Sequence, residues 1–318
     1  MPKDWSRRSF LAMAATAAAA AACSSKKPGA VADDGSVTVT HAFGETKVPA
    51  PPKRVVSAGY TEQDDLLAVG VVPLAVTAWW GDQPFGVWPW ATGKLGGAQP
   101  EVLDLSNGIQ IDRIGALKPD LIVATNAGLD EETYKTLSAI APTIAQSGQD
   151  AFFEPWKTQA ATISQAVFKF DDMAALVKGV EDRFTEIGKT NPQFTGKKAL
   201  LLDGVLTDDA AHVTIPGWRS DFLTQMGFSV PDTGGSVISR DRMESVLNAA
   251  DVLIWTTESD EQQAALLADP TIAKLTATIA KRNVFTGKDL AGAIAFGSPL
   301  SYPVVADQLP PALATVLG

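Results

Sequence analysis

The chain has 318 residues, 36 acidic and 26 basic, for a formal charge of −10 with both histidines neutral. An acidic chain without basic runs argues against a nucleic-acid partner and against electrostatic docking on anionic lipid. Two distant histidines, His41 and His212, and one cysteine supply no spaced metal-ligand set. With no Gly-x-Ser-x-Gly elbow, P-loop or dinucleotide fingerprint either, no catalytic residue and no metal ligand is assigned.

In chain order, the first segment reads as an export signal. Ser6-Arg7-Arg8-Ser9-Phe10-Leu11 places paired arginines before an apolar run from Phe10 to Ala22, the pattern of a twin-arginine address. That run is too short to cross roughly 30 Å of hydrocarbon. It closes on small residues before Cys23, which resembles the site cut by the lipoprotein signal peptidase. Residues 1–22 are therefore read as a signal peptide and Cys23 as the lipidated first residue of the mature chain; ordinary secretion with a free Cys23 is the alternative. More than one acyl chain, at about 0.8 kcal/mol per buried CH2, makes a stable anchor. The expected location is the outer face of the cytoplasmic membrane, in the cell envelope. Removing Lys3, Arg7, Arg8 and Asp4 leaves 23 basic and 35 acidic residues, a net charge of −12. Residues 23–36 are small and polar and read as a tether.

Residues 37–165 read as an N-terminal α/β lobe. Val37 to Phe43 alternates and is β-branched, the pattern of a strand. Arg54 to Tyr60 is a buried-type strand, Thr61 a helix N-cap, and Gly70 the stop of a helix carrying Leu66, Leu67 and Val69. Val71 to Thr77 is the next strand, which makes a right-handed parallel β-α-β unit. Residues 78–100 are punctuated by Gly and Pro and read as a loop. Trp79, Trp80, Trp88 and Trp90 fall within twelve of its residues. Either the loop packs on its own lobe or it forms an aromatic wall; it follows a strand, where open α/β sheets place ligands.

Residues 166–192 are assigned to one interlobe helix and 193–318 to a C-terminal α/β lobe. Met173, Leu176, Val177, Val180, Phe184 and Ile187 recur at threes and fours, and Gly188 with Asn191-Pro192 stops the helix. The pattern then restarts. Ile111 to Val123 is a helix, a turn and a strand, and Met243 to Trp255 repeats it, with Asp112 eight residues before Asp120 and Glu244 seven before Asp251. The expected fold is therefore α/β: two Rossmann-like lobes joined by one long backbone helix, with a ligand cleft between them. A single stiff helix resists bending, so small motion on binding is expected.

With these residues in hand, the chain resembles the helical-backbone class of substrate-binding lipoproteins of ABC importers, which carry ferric siderophores, haem and cobalamin. The resemblance rests on Arg54 to Gly70, Ile111 to Asn126, the central helix, Arg242 to Trp255, and Phe296-Gly297-Ser298-Pro299-Leu300-Ser301. It implies a non-enzymatic, monomeric carrier that hands its cargo to a permease and an ATPase subunit. It also implies that one carboxylate per lobe meets arginines of the permease, at Asp112 and Glu244. The family more often has glutamate at the first position, so Asp112 departs from it with a shorter reach. The two acids stand at equivalent points of the repeat, which is an independent reason to expect them on one side of the molecule.

Family membership leaves the cargo open. Loaded siderophores are often anionic and suit walls of Trp, Tyr and Arg. The candidate ligand-binding residues are Tyr60, Trp79, Trp80, Trp88, Trp90, Trp218, Arg219, Arg240, Arg242 and Tyr302. A saturated ferric chelate needs no protein ligand for its iron and no cofactor. Haem is an alternative, with His41 or Tyr302 on the iron; cobalamin is another. An envelope scaffold with a vestigial cleft and a hydrolase are the competing classes. In so acidic a chain, an anionic chelate requires a locally positive cleft. A negative cleft would point to a neutral or cationic ligand.

Overall fold

The computed structural model describes residues 28–318. The export signal, Cys23 and the first part of the tether lie outside the described residues. The first element is an antiparallel hairpin of β1 (Val37–His41) and β2 (Gly44–Val48), whose alternation turns Val37, Val39 and Val48 into the core.

Five parallel strands follow: β3 (Val55–Ser57), β4 (Ala75–Thr77), β5 (Glu101–Leu103), β6 (Leu121–Ala124) and β7 (Thr143–Ala145). Their helices are α1 (Glu62–Ala68), α2 (Pro89–Thr92), α3 (Ile111–Ala116), α4 (Glu131–Ser138) and α5 (Trp156–Ala166). The spatial order is β5-β4-β3-β6-β7. All four residues of β6 are fully buried, as a central parallel strand covered on both faces requires. Chain order reverses between β3 and β6, so the crevice of this sheet lies beyond their carboxyl ends. The strand expected from Val71 is confined to Ala75–Thr77. The aromatic loop contains α2 and two single 3-10 turns, each begun by Pro or Gly.

After α6 (Phe170–Thr190), the remaining strands are β8 (Ala199–Asp203), β9 (Ala210–His212), β10 (Val237–Ser239), β11 (Val252–Thr256) and β12 (Asn283–Phe285). Their helices are α7 (Asp221–Gln225), α8 (Arg240–Leu247), α9 (Asp260–Ala268), α10 (Thr276–Ile279), α11 (Gly287–Phe296) and α12 (Tyr302–Leu317). β12-β11-β8 is a second parallel sheet, and β9 and β10 pair separately as an antiparallel ribbon. α6 has 21 residues, about 31 Å at 1.5 Å per residue. It buries Met173, Val180 and Phe184 and packs on α5 from the first half and on α7 and α12 from the second.

The internal repeat is visible as shared bonding. The Asp120 carboxylate accepts the backbone N–H groups of Lys53 at 2.9 Å and Arg54 at 2.7 Å, just ahead of β3. The Asp251 carboxylate accepts that of Lys198 at 2.8 Å, just ahead of β8. Gly59 after β3 and Gly204 after β8 also correspond. A Cβ on Gly59 would come within 2.6 Å of the Asn126 backbone, and one on Gly204 within 2.3 Å of Thr256 O, so each lets two strand ends converge.

Candidate functional site

The carboxyl ends of the first sheet carry a run of aromatic rings. Tyr60 follows β3, Trp79 follows β4, and Phe152 and Phe153 follow β7. Tyr60 stacks on Trp79 and on Phe152, both at 5.9 Å between centroids, and Trp79 meets Phe153 at 4.8 Å. Asn126, after β6, holds this edge in place. Its side-chain amide donates to Tyr60 O at 2.8 Å, and its Oδ1 accepts the Phe153 N–H at 2.8 Å. Thr61, expected as an N-cap, sits at φ 66° and makes no capping bond. Its hydroxyl oxygen accepts from Asn126 and Gln159 instead, at 3.2 Å each.

The second half meets this edge with Trp218 and Arg219, in the turn before α7, and with Phe296 at the end of α11. Trp218 Nε1 donates to Phe153 O at 3.0 Å, a hydrogen bond from one half to the other. The Arg219 guanidinium carbon lies over the rings of Phe153 at 4.7 Å, Trp218 at 5.2 Å and Trp79 at 5.5 Å. Arg219 is 5% exposed and donates from Nε to Ala295 O at 2.9 Å and from Nη1 to Ile215 O. Its Nη2 has no partner. Desolvation lowers its pKa to about 10, so it stays charged at neutral pH. A buried cation with one unsatisfied donor is suited to an incoming oxygen acceptor.

Beside the cage, the first turn of α1 buries Glu62, Gln63, Asp64 and Asp65. Glu62 ties the ends of β3 and β6 together by accepting from Ser57 Oγ, Gly59 N, Thr125 Oγ1 and Asn126 N at 2.9–3.1 Å. Asp64 Oδ2 accepts from Trp90 Nε1 at 2.8 Å and from Ser298 Oγ at 2.6 Å, the latter again from one half to the other. Asp65 accepts from Gln159 at 2.8 Å. Burial raises the pKa of all three, and that of Asp64 rises from 3.8 to about 6. A raised carboxyl pKa means that the folded chain keeps a proton the unfolded chain gives up. The stability contributed by protonated Asp64 is therefore complete below about pH 4 and lost as pH rises through 6. Asp64→Asn should overtake the wild type at pH 8 by up to about 3 kcal/mol, with no such gain at pH 4. Denaturation at the two pH values checks this, and parallel pH profiles would rule it out.

Of the residues singled out from sequence, Tyr60, Trp79, Trp218 and Arg219 come together. Trp80 stands at their edge, half-buried and edge-on to Trp79 at 6.1 Å. The others are corrected. Trp88 is 1% exposed and packs against the backbone at Gly81 and Gly292, so it is a packing residue. Trp90 stacks on it at 4.9 Å with its N–H committed to Asp64. Arg240 is turned away by ion pairs with Asp209 and Asp269, and Arg242 donates to Thr233 O. Tyr302 is 2% exposed among Trp156, Phe184 and Phe222, with burial pushing its pKa up. His41 is buried in the hairpin region between Thr46 and Tyr134. Neither Tyr302 nor His41 is thus presented to an iron in the crevice. Asp112 and Glu244 are exposed on α3 and α8.

Phe152, Phe153, Asn126, Phe296 and Asp64 join the site without having been singled out. A paired aromatic in the loop after β7 was the available signal for Phe152 and Phe153. Thr61, Asn126, Phe153, Trp218 and Phe296 close on one another and leave a cavity volume of about 0 Å3 among them, against the roughly 300–1,000 Å3 of ligand clefts. In this arrangement the rings leave no room for a chelate between them.

The periplasmic binding protein family matches residues 55–290. Among solved structures, a periplasmic solute binding protein from Mycobacterium smegmatis is 67% identical with a TM-score of 0.88, over 90% of this chain and 100% of that one. Streptococcus pneumoniae PiaA in complex with ferrichrome is 25% identical with a TM-score of 0.72, over 88% of this chain and 98% of that one. Among curated proteins, the probable siderophore-binding lipoprotein YfiY of Bacillus subtilis is 27% identical over 73% of this chain, and the match spans 66% of its own length.

Proposed function

The chain belongs to the periplasmic binding protein family, and from that premise we propose that it is the substrate-binding component of an ABC importer. It captures a ferric siderophore or similar iron chelate outside the membrane and delivers it to a permease coupled to an ATPase. The observation that carries this reading is the Arg219 guanidinium, buried among Trp79, Phe153 and Trp218 with one donor unsatisfied. Flat rings offer contact area at little entropic cost, and the free Nη2 awaits an oxygen. The printed names of YfiY and of the PiaA complex point to the same class of cargo. The carrier works by binding and release and catalyses no covalent change. It acts as a monomer, exported through the twin-arginine signal and held at the membrane by lipid on Cys23. Residues 37–165 and 193–318 are its two lobes and residues 166–192 their connection. Asp112 and Glu244 dock it on the permease.

Tryptophan fluorescence is the test. Trp79 and Trp218 lie in the cage, so ferric chelates should quench emission saturably at micromolar concentration or below. Haem should not, because neither His41 nor Tyr302 faces the crevice to ligate its iron; cobalamin is the third ligand titrated. Quenching by cobalamin or haem alone would replace the chelate reading, and no quenching by any of them would favour a scaffold.

A further inference from the structure

The loop between β7 and α5 is pinned at its ends and free at its tip. Glu154 Oε2 accepts the Ser147 N–H at 3.1 Å and a second hydrogen bond from Ser147 Oγ, which ties the two ends together. Between them Gly148, Gln149 and Asp150 are exposed and make no hydrogen bond to any described residue. From this tip the chain crosses the turn at Gly128, whose N–H donates to Ala151 O at 3.0 Å. Phe152 lies over that turn, where a Cβ on Gly128 would stand 2.4 Å from its ring.

Phe153 is turned the other way, into the crevice. Its backbone takes φ 56°, a left-handed conformation that L side chains seldom adopt. Its N–H donates to Asn126 Oδ1 at 2.8 Å, its carbonyl accepts from Trp218 Nε1 at 3.0 Å, and its ring lies 4.7 Å from the Arg219 guanidinium carbon. Trp218 and Arg219 belong to the second half, so this loop of the first half straps the two together. The strap is held at a cost. The backbone is strained, and two buried polar atoms beside it have no partner: Glu154 Oε1, and Nη2 of the guanidinium that the Phe153 ring covers. Release of the loop relaxes the one and gives the other two to water.

We propose that Phe153 is the gate of the crevice and not one of its walls. Residues 148–153 swing outward between the pins at Ser147 and Glu154, the Phe153 ring draws back to the rim, and the halves, no longer strapped through Trp218, part to admit a chelate. The inference rests on the chelate-carrier reading above. Two consequences follow from the arithmetic of a closed majority state. Association waits on opening, and the measured affinity is the intrinsic one reduced by the fraction of time the gate stands open.

The probes are ferrichrome and ferric citrate, and the one that quenches tryptophan emission more strongly is carried forward. Hydrogen exchange of the wild-type mature chain is compared with and without a saturating amount of it. The Phe153 amide should exchange at least about tenfold faster in the complex, having lost Asn126 as its acceptor. The Asn126 amide, held by Glu62 at 2.9 Å, should be unchanged. A wall residue would do the reverse, and slower exchange at Phe153 in the complex would overturn the gate. Stopped-flow quenching supplies the second readout. The wild-type rate should level off as the chelate concentration rises. Phe153→Ala removes the ring, so its rate should keep rising and its affinity should be about tenfold tighter. Weaker binding by Phe153→Ala at an unchanged denaturation midpoint would also overturn the gate while leaving the carrier reading in place. Should that variant fail to fold, exchange at Phe153 in the wild type decides alone. Quenching of neither protein by either chelate would remove the carrier reading, and the gate with it.

Discussion

Trp88→Ala should cost about 3–5 kcal/mol of stability, the range for a fully buried aromatic cut to alanine. Trp88 is 1% exposed. Its ring stacks on Trp90 at 4.9 Å and meets Trp80 edge-on at 5.2 Å. It lies so close to Gly81 and Gly292 that a Cβ there would stand 2.4 and 2.5 Å from its atoms. The cost within that range depends on how far Trp80, Trp90 and Phe296, which pack against it, relax into the hole. Trp79→Ala should behave in the opposite way. Trp79 is half-buried and touches Tyr60, Phe153 and Arg219. Its loss should leave the denaturation midpoint nearly unchanged and weaken chelate binding roughly 30-fold, about 2 kcal/mol. Denaturant unfolding and fluorescence titration of both variants separate the two roles. Equal stability losses would place Trp79 in the core and remove it from the site.

Reversal of charge at Asp112 and Glu244 together should abolish chelate uptake while the dissociation constant of the purified carrier stays the same. Both carboxylates are exposed, on α3 and α8, and the Asp120 and Asp251 bonds show these two units to be equivalent parts of the repeat. An exposed acid contributes some tenths of a kcal/mol to its own helix, so the fold should tolerate the change. Transport of labelled iron and direct binding to the same double variant are the paired readouts. Loss of binding along with uptake would assign the two acids to the site or the fold.

The division into two parallel sheets and the long α6 were legible in the sequence because they rest on apolar periodicity, which local composition carries. Tyr60, Trp79, Trp218 and Arg219 were legible because each stands at a strand end or before a helix, where side chains have no core of their own to enter. Arg240 and Arg242 misled because their partners are remote: Asp209 and Asp269 reach Arg240 through loop geometry that no spacing encodes. Tyr302 misled because α12 turns it into the packing around α6. The acids of α1 were hidden for another reason. Glu-Gln-Asp-Asp reads as a solvated first turn favoured by the helix dipole, yet the halves close over it with Ser298 and Trp90.

The most direct measurement is an anomalous difference map at the iron edge from crystals of the chain with ferrichrome. The iron should lie among Tyr60, Trp79, Phe153 and Trp218, with the rings parted and a chelate oxygen on Arg219 Nη2. An iron peak in the surface groove of Val205, Leu206 and Leu266, or in the depression beside Ile111 and Thr136, with the cage still closed, would contradict it.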